Sequence, residues 1–238
     1  GYNVGGQPQV VVGDNGRGVM RVEDEGFISG RLITGNGTAG VGAVYQTGGV
    51  MHNTGGAGND GRIGNSGYGY YHLADGVLTN NGYTQIGWGF ASHGILEQTG
   101  GLLAFGATYG GTIGISRGGT GVVHVSGGLF RSNATLKIGD DSENSSTAGF
   151  AVMTVSGSAV VTNNGSIDLG NRNNMTALLN LNGGEVNAKR IWRANRSNTD
   201  ARVNWNGGLL RTVNPDNVEL FNGGTAGLYP DVTIFEGG

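Results

Sequence analysis

Cysteine is absent from the 238 residues, so no disulfide frames the fold and no thiolate is available to bind metal or act as a nucleophile. Proline occurs three times, which excludes collagen and proline-rich linkers despite the abundance of glycine. Charged residues make up 13% of the chain, about half the usual ~25%. Lysine is nearly missing, with only Lys137 and Lys189, and the formal net charge is −3. A weakly acidic chain without basic clusters does not suit nucleic acid or an anionic membrane surface. No apolar run approaches the ~20 residues of a membrane-spanning helix. The first residue is Gly, and no leader-like segment precedes the repeats, which reads as a mature or trimmed segment.

What is plentiful is glycine, 51 residues against the ~17 expected at ~7%. Asn, Ser and Thr supply most of the remaining polarity. The glycines are not scattered. A phrase of alternating apolar residues, a small pair and another apolar residue recurs as VVHVSGGLF (122–130), LLNLNGGEV (178–186), VNWNGGLL (203–210), VYQTGGVM (44–51) and LEQTGGLL (96–103). With the second small residue as a mark, the repeats fall at Gly26, Gly49, Gly76, Gly101, Gly128, Ser158, Gly184, Gly208 and Gly238. A second phrase follows most marks by about a dozen residues: VVVGDN (10–15), RIGNS (62–66), QIGWG (85–89), TIGIS (112–116), KIGDD (137–141) and DLGNR (168–172).

Alternation signals a half-buried strand. In 122–126, Val123 and Val125 point one way and His124 and Ser126 the other. One coil of ~26 residues cannot enclose a core, but stacked coils place like on like at ~4.8 Å and bury a continuous column. The corners need positive φ, which Gly and Asn supply. The spacing therefore predicts an all-β, single-domain right-handed parallel β-helix (β-solenoid) over 1–238, of about nine coils of ~26 residues. Recurrent Asn-Gly pairs would also suit an antiparallel meander, although hairpins would not lock two distinct phrases to one ruler. In 20–26 and 232–238 the apolar positions sit one residue further from the small pair, which predicts an extra corner residue there.

Units such as GTGVVHVSGGLFRSNATLKIGDD (119–141) resemble the autotransporter-associated β-strand repeats of Gram-negative surface proteins. The resemblance covers nearly the whole chain, best over 41–186. It implies a right-handed β-helix exported to the bacterial cell surface, where such a chain is a structural element or an adhesin.

Catalytic, metal-binding and cofactor-binding residues are all expected to be absent. The densest acidic group, Asp140, Asp141 and Glu143, reads as a solvated loop tip, with calcium binding or a polysaccharide-cleaving acid pair as the lesser alternative. GGAGNDGRI (55–63) is similar to a calcium-binding nonapeptide but occurs once and places Arg62 at a core position. His72, Glu97 and His124 fall in one outward column, Tyr45, His72, Glu97, His124, Thr154, Asn180, Asn204, and form a polar ladder more readily than a metal site. Aromatic residues crowd 68–90. Tyr71 belongs to the core by its alignment with Val123, while Tyr70, Tyr83, Trp88 and Phe90 form a candidate face for glycans or a partner.

The expected partner is the chain itself, stacked head to tail, with surface glycans second. A solenoid end exposes an unpaired strand edge. Joining the last residue to the first reads FEGG-GYNVGGQPQVVVGDN, which keeps the ruler in phase to within a residue and places Val12 twelve residues past its mark, against eleven for Leu169. The expected assembly interface is Tyr2, Val4, Val12, Val232, Ile234 and Phe235, and the expected location is extracellular or at the cell surface.

Overall fold

A computed structural model describes residues 8–53, 60–106, 113–140, 148–171, 173–194, 198–213, 220–222 and 229–235. Tyr2, Val4, Asp141 and Glu143 lie outside them. Among the described residues there is no helix. Twenty strands form one sheet that coils on itself, and the pairings from coil to coil are parallel. The antiparallel meander is thereby excluded, and the molecule is a parallel β-solenoid of about seven turns with ~26 residues per turn.

Each turn has three faces. The first face stacks Arg17–Val22, then residues 41–46, 68–73, His93–Gln98, Thr120–Val125, 149–155, 175–181, 200–205 and finally Asp231–Ile234. The second runs from Phe27–Ser29 through 50–53, 77–80, Leu102–Phe105, Leu129–Ser132, 160–163 and 185–188 to 209–212. The third runs from Gln9–Asp14 through Arg31–Asn36, Gly61–Ile63, Thr84–Ile86, Ile113–Ile115, Leu136–Ile138, 166–169 and 190–193 to Phe221–Asn222. The turns from Arg17 to Arg193 have strands of three or more residues on every face. The nine-mark ruler counts more because its first mark closes a coil described only from Pro8, and its last mark, Gly238, lies outside the described residues.

The core follows from period-2 alternation. Val44, Tyr71, Leu96, Val123, Met153, Leu179 and Val203 form one inward column, and Met51, Leu78, Leu103, Phe130, Val161 and Val186 form another, all buried. Tyr71 is fully buried, as its alignment with Val123 predicts, and its hydroxyl donates to Gln46 Oε1 at 2.5 Å. Gln46 and Gln98 are inward polar residues with a definite task. The Gln98 amide reaches the carbonyls of Gly100, Gly101 and Leu129, satisfying the corner from inside. Asn80 and Asn163 do the same at the next corner, donating to the carbonyls of Tyr83 and Ser166.

Gly128 shows why the small pair is glycine. Its φ is 73°, and a Cβ there would lie 2.5 Å from the carbonyl oxygen of Gly101 in the coil below. The extra corner residue expected in 20–26 is present: Val22 pairs with Gln46, yet four residues (23–26) reach Phe27 where three (47–49) reach Val50. The same turn recurs unforeseen at 156–159, so Val161, not Val160, stands in the Phe130 column. TIGIS also sits two residues out of step. Ile115 pairs with Ile86 and Ile138, and Ser116, at φ 59°, occupies the left-handed position that is glycine at Gly87 and Gly139. Its hydroxyl donates to Gly119 O at 2.6 Å, which holds the turn closed.

Candidate functional site

The corner between third and first faces differs in length from coil to coil. Residues 65–67 join Gly64 to Tyr68 and 117–119 join Ser116 to Thr120, three residues each. Residues 36–40 and 88–92 make five-residue corners, and 140–149 make one of ten. The 88–92 corner is pinned at its ends to the coil below, with Trp88 N donating to Gly64 O and His93 N to Gly67 O, both at 2.9 Å. Its two surplus residues push Gly89–Ala91 outward. Ser92 closes the turn, its N and Oγ donating to Gly89 O at 3.0 and 2.7 Å. The result is a prow carrying Trp88 and Phe90, with Phe90 59% exposed.

A notch lies over the short corner on each side of the prow. The first, about 330 Å³, is lined by Thr38, Ser66, Trp88, Gly89, Phe90, Ala91 and Arg117. The second, about 350 Å³, is lined by Phe90, Ala91, Ser92, His93, residues 118–120, 148–150 and Thr176. They sit two coils apart, ~9.6 Å at ~4.8 Å per step. A shallower depression of about 130 Å³ continues onto the first face past Tyr68, Tyr70, His93 and Ile95. Tyr68 and His93 stack there at 4.6 Å and 11°.

Trp88 is clamped by cations. The Arg62 guanidinium lies 3.8 Å from its ring centroid and that of Arg117 lies 5.5 Å away. Arg62 also donates to Asn65 Oδ1 at 2.8 Å and stands 3.8 Å from Asp60. Burial, then the neighbouring charges of Arg31 and Arg117, pull the Arg62 guanidinium down to about 10, with Asp60 opposing. Arg62 points outward, opposite Gln85, and plugs no core position.

Of the four aromatic residues expected to share a face, Trp88 and Phe90 line the same notch, and Tyr70 belongs to the depression that His93 links to the second notch. Tyr83 stands apart. It precedes Thr84–Ile86, whereas Trp88 follows that strand, so the two occupy opposite corners of the third face. Tyr70 is not a free hydroxyl: it donates to Glu97 Oε2 at 2.5 Å, and burial followed by that carboxylate pushes its pKa up. His93, Arg117 and Phe150 lie outside the face expected from the sequence, and Tyr68, one of the aromatic residues crowding 68–90, joins them. The signal was present in the differing corner lengths, but these become legible only once the register is known.

The outward column Tyr45, His72, Glu97, His124, Thr154, Asn180, Asn204 is paired in that order. His72 Nε2 lies 3.0 Å from Thr99 Oγ1 and His124 Nε2 lies 3.1 Å from Ser156 Oγ. With Glu97 taken by Tyr70, the His72–Glu97–His124 part of the column is a set of separate pairs, whereas further along Asn180 donates to Thr154 Oγ1 at 3.3 Å and Asn204 donates to Asn180 Oδ1 at 2.8 Å. Among the described residues no group of three or more His, Cys, Asp or Glu converges on a metal position. Asp140 corrects the reading of a solvated loop tip. It is fully buried, with Oδ1 3.0 Å from Lys137 Nζ and Oδ2 accepting from Gln85 Nε2 at 3.2 Å. Asp168, one coil on and paired with Lys137, accepts from Trp192 Nε1. Burial raises its pKa, against opposing hydrogen bonds from Ser166 and Trp192 and the charges of Arg190 and Lys137.

Of the expected assembly residues, Val12 is buried in the column that runs through Thr34, Ile63, Ile86, Ile115 and Ile138 to Leu169. Val232, Ile234 and Phe235 are 38%, 63% and 47% exposed, although Val232 and Ile234 continue the inward columns of Val203 and Trp205. No helix among the described residues is long and apolar enough to cross a membrane. No family model, curated protein or solved structure matches the chain.

Proposed function

We propose that this chain is a non-catalytic structural protein of a Gram-negative bacterial surface, an extracellular right-handed β-solenoid that forms one body over 1–238 and stacks into a filament or surface layer. In this reading the incomplete turns at both ends count toward nine coils, and the kinship is with the autotransporter-associated repeats. The observation that carries it is the unbroken in-register first-face stack from Arg17–Val22 to Asp231–Ile234. Such a stack makes a stiff rod at little sequence cost, since each coil rests only on its neighbours. Head-to-tail growth is supported by Val232 and Ile234, apolar residues in core positions on a strand that pairs on one side only among the described residues, because an unpaired edge is a template for another chain. The contact is heterologous and generates an open fibre. Electron microscopy of purified protein tests it. Filaments are expected, and Val232→Lys with Ile234→Lys should leave short rods. Protein that stays monomeric at high concentration refutes the assembly.

The prow and its notches favour a second reading, that the rod also binds glycans as an adhesin does. An exposed ring beside two concave sites is the arrangement a sugar needs for stacking. Glycan-array binding that Phe90→Ala abolishes is the test.

A further inference from the structure

We propose that the notch lined by Thr38, Ser66, Trp88, Phe90 and Arg117 is a subsite for a carboxylated pyranose, one unit of an acidic polysaccharide; this rests on the glycan-binding reading. Three features of the notch select that ligand. Phe90 offers a ring 59% exposed to the apolar face of a sugar. Thr38 and Ser66 are also among the residues lining the notch, and their side chains carry the hydroxyls suited to ring hydroxyls. Charge comes from arginine: Arg117 is the charged residue lining the notch, and against the same Trp88 ring the Arg62 guanidinium feels the charges of Arg31 and Arg117, with Asp60 opposing. An anionic ligand relieves that crowding, and a guanidinium pairs with a carboxylate through two parallel hydrogen bonds.

The surroundings set the direction of the bound chain. Phe90 and Ala91 line both notches, so sugars leaving the first pass over the prow into the second. The ~9.6 Å between notches is two coil steps, about the length of two pyranose units. The second notch contributes His93, Thr120 and Thr176 and no guanidinium, so its sugar is held by ring stacking and hydroxyls. A polysaccharide running along the rod would meet repeated units of the filament in the same way, and weak single subsites would add through multivalency.

Isothermal titration of the full chain with hexamers of galacturonate, glucuronate and mannuronate, and with their methyl esters, tests the assignment. An ester keeps the ring and removes the charge. At least one acid should bind at low salt, weaken as salt rises, and lose at least tenfold in its ester. Arg117→Gln should lose tenfold for the acid, Phe90→Ala should lose tenfold for both forms, and both variants should keep the native circular dichroism spectrum. Esters that bind as well as acids would overturn the acidic-sugar assignment and leave the glycan reading standing. No binding by any hexamer, acid or ester, would overturn both. Acid binding unchanged in Arg117→Gln and Phe90→Ala would remove the notch as its site.

Discussion

The two kinds of corner in this solenoid behave differently. The corner from first to second face is three residues long in most turns and four at 23–26 and 156–159. The corner from third to first face varies from three residues (65–67) to ten (140–149). At the constant corner Gly49, Gly101 and Gly128 sit against the backbone of the coil below, so an added atom there meets a carbonyl. At the variable corner the 88–92 segment is hydrogen-bonded to the coil below at its ends, and Phe90 between them is exposed. The constant corner therefore maintains the stack, and the variable one shapes the surface into prows and notches without disturbing the core.

Removing a ring from each region gives the largest contrast. Phe130→Ala empties a fully buried column site and should cost about 3–5 kcal/mol in urea unfolding, while Phe90→Ala on the prow should cost within ~0.5 kcal/mol. An equal loss at both positions would break the distinction. Next comes Gly128→Val, which forces a branched residue to positive φ with its Cβ against Gly101 O. A loss of about 2–4 kcal/mol is expected, against little for Gly16→Ala, whose Cβ meets only Asp14 O at 3.8 Å.

The smallest effect concerns pH. Asp168 has a raised folded-state pKa, so its protonated form suits the fold. Its contribution is fullest below the ordinary carboxylate value of 3.8 and is lost as pH climbs through the raised value. Asp168→Asn keeps an acceptor for Trp192 without that loss. Its urea midpoint should equal or exceed that of the native chain at neutral pH, the advantage shrinking as pH falls; a midpoint lower at neutral pH contradicts the shift.

Much of the stack was legible in the sequence because alternation and corner glycines repeat in phase. The outward column from Tyr45 to Asn204 and the burial of Tyr71 both follow from counting, and the alignment of Val12 with Leu169 does so to within one residue. Counting failed where a corner gained a residue or a side chain replaced a glycine's role. The extra residue of the 156–159 turn sets Val160 beside Leu129 and brings Val161 into the Phe130 column, and Ser116, held by its bond to Gly119 O, concealed the true register of TIGIS. The burial of Asp140 was hidden for another reason: its partners Lys137 and Gln85 come from different coils, and a polar run in sequence looks the same whether solvated or paired. The notches were illegible because they arise from differences in length between neighbouring corners, which no single repeat displays.

Inserting Ser-Gly after Ser66 in one variant and after Gly127 in another, then following urea unfolding and uronate titration on the same samples, tests the division between corners most directly. The account predicts that the Ser66 insertion keeps the unfolding midpoint, since five-residue corners already occur there, and fills the first notch, so that uronate binding is lost. The Gly127 insertion should lose several kcal/mol, because it shifts Leu129–Ser132 out of register with Leu102–Phe105. A Gly127 insertion that unfolds like the native chain, or a Ser66 insertion that collapses the fold, would contradict it.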